Sequence, residues 1–230
     1  NRADGANRWV SQPIPIPDSL PSQGASVLVA YDGVILFAGG IEGGKAKSGR
    51  GGGTGLCALS ARDGSQLWSA SQPFVWGGTL RDVLVMNGLV WNGDVASGSS
   101  PGTMTGRDLR TGEVKKQFPP DVDIFWFHHR CYRAKATDNF LLYSRTGIEF
   151  VDPEKSHWTT HHWVRGGCVY GVMPCNGLVY NPPHPCACYS ESKLYGFNAL
   201  APQSKLWTPL SEVPDAGRLE KGPAYAELST

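Results

Sequence analysis

Residues 27–39 read VLVAYDGVILFAG: an alternating apolar run, the polar pair Asp32-Gly33, and a second apolar run. Alternation with a period of two is the pattern of a half-buried strand. An Asp-Gly or Asn-Gly pair tolerates the positive φ angles of a type I′ turn, so the stretch predicts a two-residue β-hairpin. The same reading recurs as VLVMNGLVWNG at 83–93, YRAKATDNFLLYSR at 132–145 and YGVMPCNGLVYNP at 170–182. The turns are then Asn87-Gly88, the weaker Asp138-Asn139, and Asn176-Gly177. They fall about 40 to 55 residues apart, close to the period of a four-stranded propeller blade.

A second unit follows each hairpin: an apolar strand, a turn, and a strand that often ends in an aromatic residue. The turns are Asp63-Gly64 at 56–68, Thr111-Gly112 at 106–114, Asp152-Pro153 at 147–158 and Ala201-Pro202 at 194–207. Hairpin plus hairpin makes a four-stranded antiparallel sheet, which is stable only when neighbouring sheets cover its faces. The fold expected is all-β: a β-propeller of four-stranded blades, about four of them in this sequence, as a whole or as a fragment of a larger ring. Residues 1–26, carrying Pro13, Pro15, Pro17 and Pro21, read as an extended linker or edge segment, because proline cannot donate into a central ladder. Blades occupy 27–210, and 211–230 reads as a polar linker towards further blades. The glycine-rich stretch 39–55 reads as a loop; Lys45-Ala46-Lys47-Ser48 has the wrong order for a phosphate-binding loop.

Composition narrows the function classes. Charged residues make up 18% of 230 residues and the formal net charge is +1, which gives no electrostatic basis for nucleic-acid binding. No run approaches the roughly 18 apolar residues of a membrane-spanning helix. The sequence opens on Asn1 without a basic and apolar leader behind it, as expected of a processed export product or a piece of a longer chain. Six cysteines favour an oxidising compartment.

The phrases at 58–68 (ALSARDGSQLW) and 194–200 (LYGFNAL) resemble the ALDA-x-TG-x-x-x-W repeat of the pyrroloquinoline quinone (PQQ)-like propeller family. The stretches 128–133, 147–152 and 184–188 are similar to large exported bacterial proteins that carry such repeats. In those the chain continues beyond a phrase similar to 219–225 into further blades. The resemblance implies a periplasmic or envelope location and a module that binds a small-molecule ligand or protein partner. The alternative it implies is a PQQ- and calcium-dependent oxidoreductase acting on alcohols or sugars. The dehydrogenases of the family use a vicinal Cys-Cys disulfide against the quinone. Here Cys186 and Cys188 are separated by Ala187, so that role is not carried over.

Candidate residues follow from chemistry. His128, Arg130, Arg165 and His184 are the set expected to bind an anionic or polyhydroxylated ligand through charge-assisted hydrogen bonds, with inter-blade hydrogen bonding as the structural alternative. Cys131, Cys168, Cys186 and Cys188 are candidates for disulfides linking Cys131 or Cys168 to the 186–188 segment, for buried thiols, or, together with Cys175 and His184, for a zinc site. In the pairs His128-His129 and His161-His162, successive side chains take opposite faces of a strand, so one of each can serve a given site. The aromatics Phe125, Trp126, Phe127 and Trp163 read first as packing between blades and second as stacking surfaces for a sugar or quinone ring. No Cys-x-x-Cys-His or Gly-x-Ser-x-Gly motif occurs.

Overall fold

The four hairpins become the inner strands of four sheets. In the computed structural model, which describes residues 4–14, 27–40, 54–72, 82–94, 102–122, 132–143, 147–168, 170–186 and 194–203, every sheet is an antiparallel meander. Blade 1 is β1 (Val27–Tyr31), β2 (Val34–Gly40), β3 (Thr54–Ser60) and β4 (Gln66–Gln72). Blade 2 is β5 (Leu84–Met86), β6 (Leu89–Asp94), β7 (Thr103–Asp108) and β8 (Val114–Phe118). Blade 3 is β9 (Lys135–Ala136), β10 (Leu141–Tyr143), β11 (Ile148–Asp152) and β12 (His157–His161). Blade 4 shows β13 (Met173–Cys175), β14 (Leu178–Asn181) and β15 (Asn198–Leu200). In each sheet neighbours pair in chain order, and β9 lies beside both β5 and β13, so the first strands of successive blades adjoin. This is the β-propeller arrangement, built of repeating blades.

Three of the predicted turns form as read. Asp32 and Gly33 take φ of 42° and 74°, Asn87 and Gly88 take 52° and 73°, and Asn176 and Gly177 take 50° and 76°. The Asp138-Asn139 turn departs from them. Neither residue has positive φ, and Thr137 closes the turn instead, its Oγ1 accepting from the Phe140 amide at 3.0 Å. The third turn thus relies on a hydroxyl where the others rely on backbone freedom.

Burial lies between blades, as stacked sheets require. Val27, Val34, Leu36, Leu56 and Trp68 of blade 1 pack with Val83, Val90 and Leu109 of blade 2. Met86, Trp91, Met104 and Phe118 of blade 2 pack with Leu141, Tyr143, Val151 and Trp158 of blade 3. Leu142 and Ile148 of blade 3 pack with Val172 and Val179 leading into and within blade 4. No helix among the described residues is long and apolar enough to cross a membrane.

The outer turn of each of the first two blades latches to the inner one. The Ala61 amide donates to Gly33 O at 2.9 Å, and the Leu109 amide to Gly88 O at 3.3 Å. The first residue of the outer turn is a cap in three blades. Ser60 Oγ accepts from Arg62 N, Asp108 Oδ1 from Arg110 N and Thr111 N, and Asp152 Oδ1 from Glu154 N and Lys155 N. In a meander these turns sit at one end of the sheet. The connections between second and third strands, and between blades, sit at the other.

Candidate functional site

The loop end of blade 4 gathers four of the eight expected site residues. Two connections meet there: 162–172, between β12 and β13, and 182–197, between β14 and β15. Arg165 is 1% exposed. Its Nη1 donates to Cys186 Sγ at 3.3 Å and its Nη2 to the Cys186 carbonyl at 3.1 Å, so the guanidinium fastens one connection to the other. Cys168 Sγ lies 3.5 Å from Cys186 Sγ. His184 Nε2 donates to the Arg165 carbonyl at 2.9 Å, which fixes the Nε2–H form of that ring nitrogen.

Glycines permit this closeness. A Cβ at Gly167 would stand 2.9 Å from His184 Cβ, and one at Gly166 would stand 2.6 Å from the Gly171 carbonyl carbon. Gly171 donates its amide to Gly167 O at 2.8 Å, and the two form an isolated bridge. The connection from Arg165 to Gly171 is therefore a compact knot, with Arg165 at its root. Arg165 Nε is buried and has no hydrogen-bond partner among the described residues.

The surface around this knot is aromatic. Trp163 is 68% exposed, Tyr170 81% and Tyr195 78%. The Leu194 amide donates to Trp163 O at 2.9 Å, which ties the Tyr195 segment to the Trp163 segment. Phe197 is also exposed and packs against Tyr180, ring centroids 5.9 Å apart. The first reading of Trp163, packing between blades, is corrected here: the residue is on the surface, because β12 ends at His161 and the chain has already left the sheet.

Arg165, Cys168, His184 and Cys186 are all candidates by chemistry; the sequence reading brings Cys168 and His184 to the 186–188 segment, but nothing in it places Arg165 against Cys186. His128, Arg130, Cys131 and Cys188, with Phe125, Trp126 and Phe127, lie outside the described residues, as does most of the glycine-rich stretch 39–55. Of the pair His161-His162 only His161 lies in a strand, so the alternation expected of them does not apply: His161 is half-buried, with its imidazole pKa lowered by burial, and His162 is exposed just beyond the end of β12. Sequence reading misses Tyr170, Tyr195 and the glycine set. The signal is present in the spacing of Gly166, Gly167 and Gly171 after a strand, since crowded glycines mark close backbone approach.

No group of three or more His, Cys, Asp or Glu side chains among the described residues is placed to hold a metal ion.

No family model matches the chain, and no curated protein matches it. Among solved structures it is similar to BamB from Moraxella catarrhalis, at 15% identity and a TM-score of 0.37, over 72% of this chain and 53% of that one. It is also similar to the computationally designed Ika8 protein, at 11% identity and a TM-score of 0.30, over 69% and 55%. The chain spans about half the length of these structures.

Proposed function

We propose that this chain is a PQQ-like propeller module of an exported, envelope-associated bacterial protein, and that it binds a protein partner through the loop end of blade 4. The observation that carries this reading is the exposure of Trp163, Tyr170 and Tyr195 on two connections fastened by buried Arg165. Large aromatics on a rigid, solvent-facing base supply contact area at low entropic cost, and exposed apolar patches of this kind mark interaction surfaces. The knot pre-organises the surface, so little ordering remains for binding to bring about. The module reading is also favoured over catalysis by the use of Arg165 and His184, which donate to backbone and sulfur of the chain itself.

A photo-crosslinking residue at 163, 170 or 195, introduced in the cells that export the protein, tests this directly. Discrete protein adducts at these positions, absent when the same group sits at Tyr31 at the turn end, are expected. Adducts absent at all three, or equally abundant at Tyr31, would sink the reading.

Export carries a companion expectation for the cysteines. A small-molecule disulfide oxidant would take two electrons from the Cys168 and Cys186 thiols as each loses its proton, joining the two sulfurs. The oxidant leaves as two thiols. A non-reducing digest of the exported protein should yield a peptide pair linking Cys168 with Cys186. Pairing of either cysteine elsewhere would remove this support.

A further inference from the structure

The guanidinium that fastens the two connections of blade 4 is a buried cation with no carboxylate beside it. Arg165 is 1% exposed, and no ion pair to it occurs among the described residues. Its Nη2 donates to the Cys186 carbonyl at 3.1 Å and its Nη1 to Cys186 Sγ at 3.3 Å. Burying a cation is costly unless an anion stands against it. Of the side chains that meet here, Cys168, His184 and Cys186, only the thiols can become anions. The sulfur that faces the guanidinium is that of Cys186.

A second thiol stands within reach of the first. Cys168 Sγ is 3.5 Å from Cys186 Sγ, roughly 1.5 Å more than an S–S bond. Gly166 and Gly167, immediately before Cys168, lie where a Cβ would collide, and the Gly171 amide closes on Gly167 O, so Cys168 sits on a tightly held turn. Both cysteines are half-buried rather than enclosed. A thiolate stabilised by a cation is a good leaving group, and stabilising the reduced form of a couple makes its disulfide easier to reduce. Oxidation would remove the negative charge beside Arg165, so the guanidinium opposes the bond it adjoins.

We propose that Cys168 and Cys186 form a readily reduced thiol–disulfide couple, with Cys186 as the thiolate held by Arg165 and a thiol reductant as the co-reactant. The inference rests on the pairing of these two cysteines expected above and adds that the bond is a switch, not a permanent staple. In reduction, a thiolate of the reductant attacks Cys168 Sγ, the S–S bond breaks, and its electron pair leaves on Cys186 Sγ beside Arg165. A second thiolate of the reductant attacks the reductant's sulfur in the mixed disulfide. Cys168 leaves as a thiolate and takes a proton from water, the reductant departs as a disulfide, and two electrons have passed to the protein. The connections 162–172 and 182–197, which carry Trp163, Tyr170 and Tyr195, are then joined without a covalent bond.

A redox titration of the full exported protein in glutathione buffers, with thiols blocked and the Cys168–Cys186 peptide pair quantified by mass spectrometry, tests it. The pair should open and close within the range that glutathione spans, where a structural disulfide stays closed. A pair that stays closed at every ratio would overturn the proposal and leave the pairing intact; a pair that never forms would remove both. Arg165→Met should shift the equilibrium towards the disulfide by about tenfold or more, and Arg165→Lys should recover most of that shift. An equilibrium unmoved by Arg165→Met would count against the role of the guanidinium. Because Arg165 variants disturb the knot, the unmodified protein supplies a second reading. In its reduced form, alkylation of Cys186 by iodoacetamide should change little between about pH 8 and pH 6, whereas a free cysteine peptide slows about tenfold per unit. A Cys186 profile that follows the free peptide would overturn the proposal.

Discussion

Two junctions in this molecule solve one geometric problem with different chemistry. Between blades 1 and 2, the residue four positions after Gly64 is Trp68, which lies on Gly112 and donates to Leu109 O. Between blades 2 and 3, the residue four positions after Gly112 is Lys116, whose Nζ donates to Glu154 O at 2.6 Å. At the left-handed position of the outer turn, the first junction has Gly112 with φ 72° and the second has Ser156 with φ 55°. An indole face needs the space a Cβ would fill, whereas an ammonium reaching the turn from the side does not. The residue on one blade thus sets what the turn of the next blade tolerates, and a repeat that looks degraded in sequence keeps its docking. The second junction also carries a part-buried polar link: Asp82, leading into β5, accepts from the Ala134 amide leading into β9 at 2.9 Å.

The largest difference should come from truncating the docking residues. Trp68→Ala removes a buried indole and its hydrogen bond, and should cost about 3–5 kcal/mol in denaturant unfolding. If the loss is no greater than that of Lys116→Ala, the indole is not what holds the first junction.

Acidity should divide the junctions next. Burial raises the Asp82 carboxyl to about 7 from an ordinary 3.8, against the lowering pull of the Ala134 amide, Arg133 and Lys135. Because the folded state holds this proton longer than the unfolded chain, the Asp82 contribution is most favourable below about pH 4. It is lost as pH rises towards 7, by a few kcal/mol in all, since each tenfold difference in proton affinity between the two states is worth about 1.4 kcal/mol. Asp82→Asn should flatten the change in stability between about pH 4 and 7. The carboxylates of Asp108, Asp121 and Asp152, held low by their hydrogen bonds, work in the opposite sense and lose their contribution only as pH falls below the usual carboxylate range. An unchanged pH slope in the Asn variant would move the titration away from the second junction.

Smaller again is the exchange at the left-handed position. Gly112→Ala places a Cβ against Trp68 at a φ that L-residues resist and should cost about 2 kcal/mol or more. Ser156→Gly should stay within about 1 kcal/mol of the unmodified protein, relief of backbone strain offsetting the added freedom of the unfolded chain. Equal effects at the two positions would show that φ alone, and not the indole, dictates glycine.

The same contrasts explain which features are legible in the sequence. The hairpins are, because Asp32-Gly33, Asn87-Gly88 and Asn176-Gly177 announce their turns within two residues, and alternation tells which faces are buried. The Trp68 to Gly112 contact is half legible, as a motif containing both residue types, but not as a contact: it joins residues of different repeats, and periodicity within one repeat carries no record of its neighbour. At the loop end, Cys168 and the 186–188 segment pair by chemistry alone. The exposure of Trp163 and Tyr170 is not legible, because it depends on where β12 stops.

The smallest effect is the most informative about how the two junctions relate. Lys116→Ala removes one charge-assisted hydrogen bond at a largely exposed site and a contact over the Phe118 ring at 6.0 Å, and should cost about 1 kcal/mol or less. Lys116→Trp alone should destabilise the protein, since the incoming indole would meet the side chain of Ser156. Combined with Ser156→Gly, the same substitution should recover stability, with a coupling of about 1 kcal/mol or more in a double-mutant cycle. A coupling near zero would mean that blade 3 presents its turn at a different distance from blade 2 than blade 2 does from blade 1. Lysine would then be there because the gap is wider, and not because serine took the place of glycine.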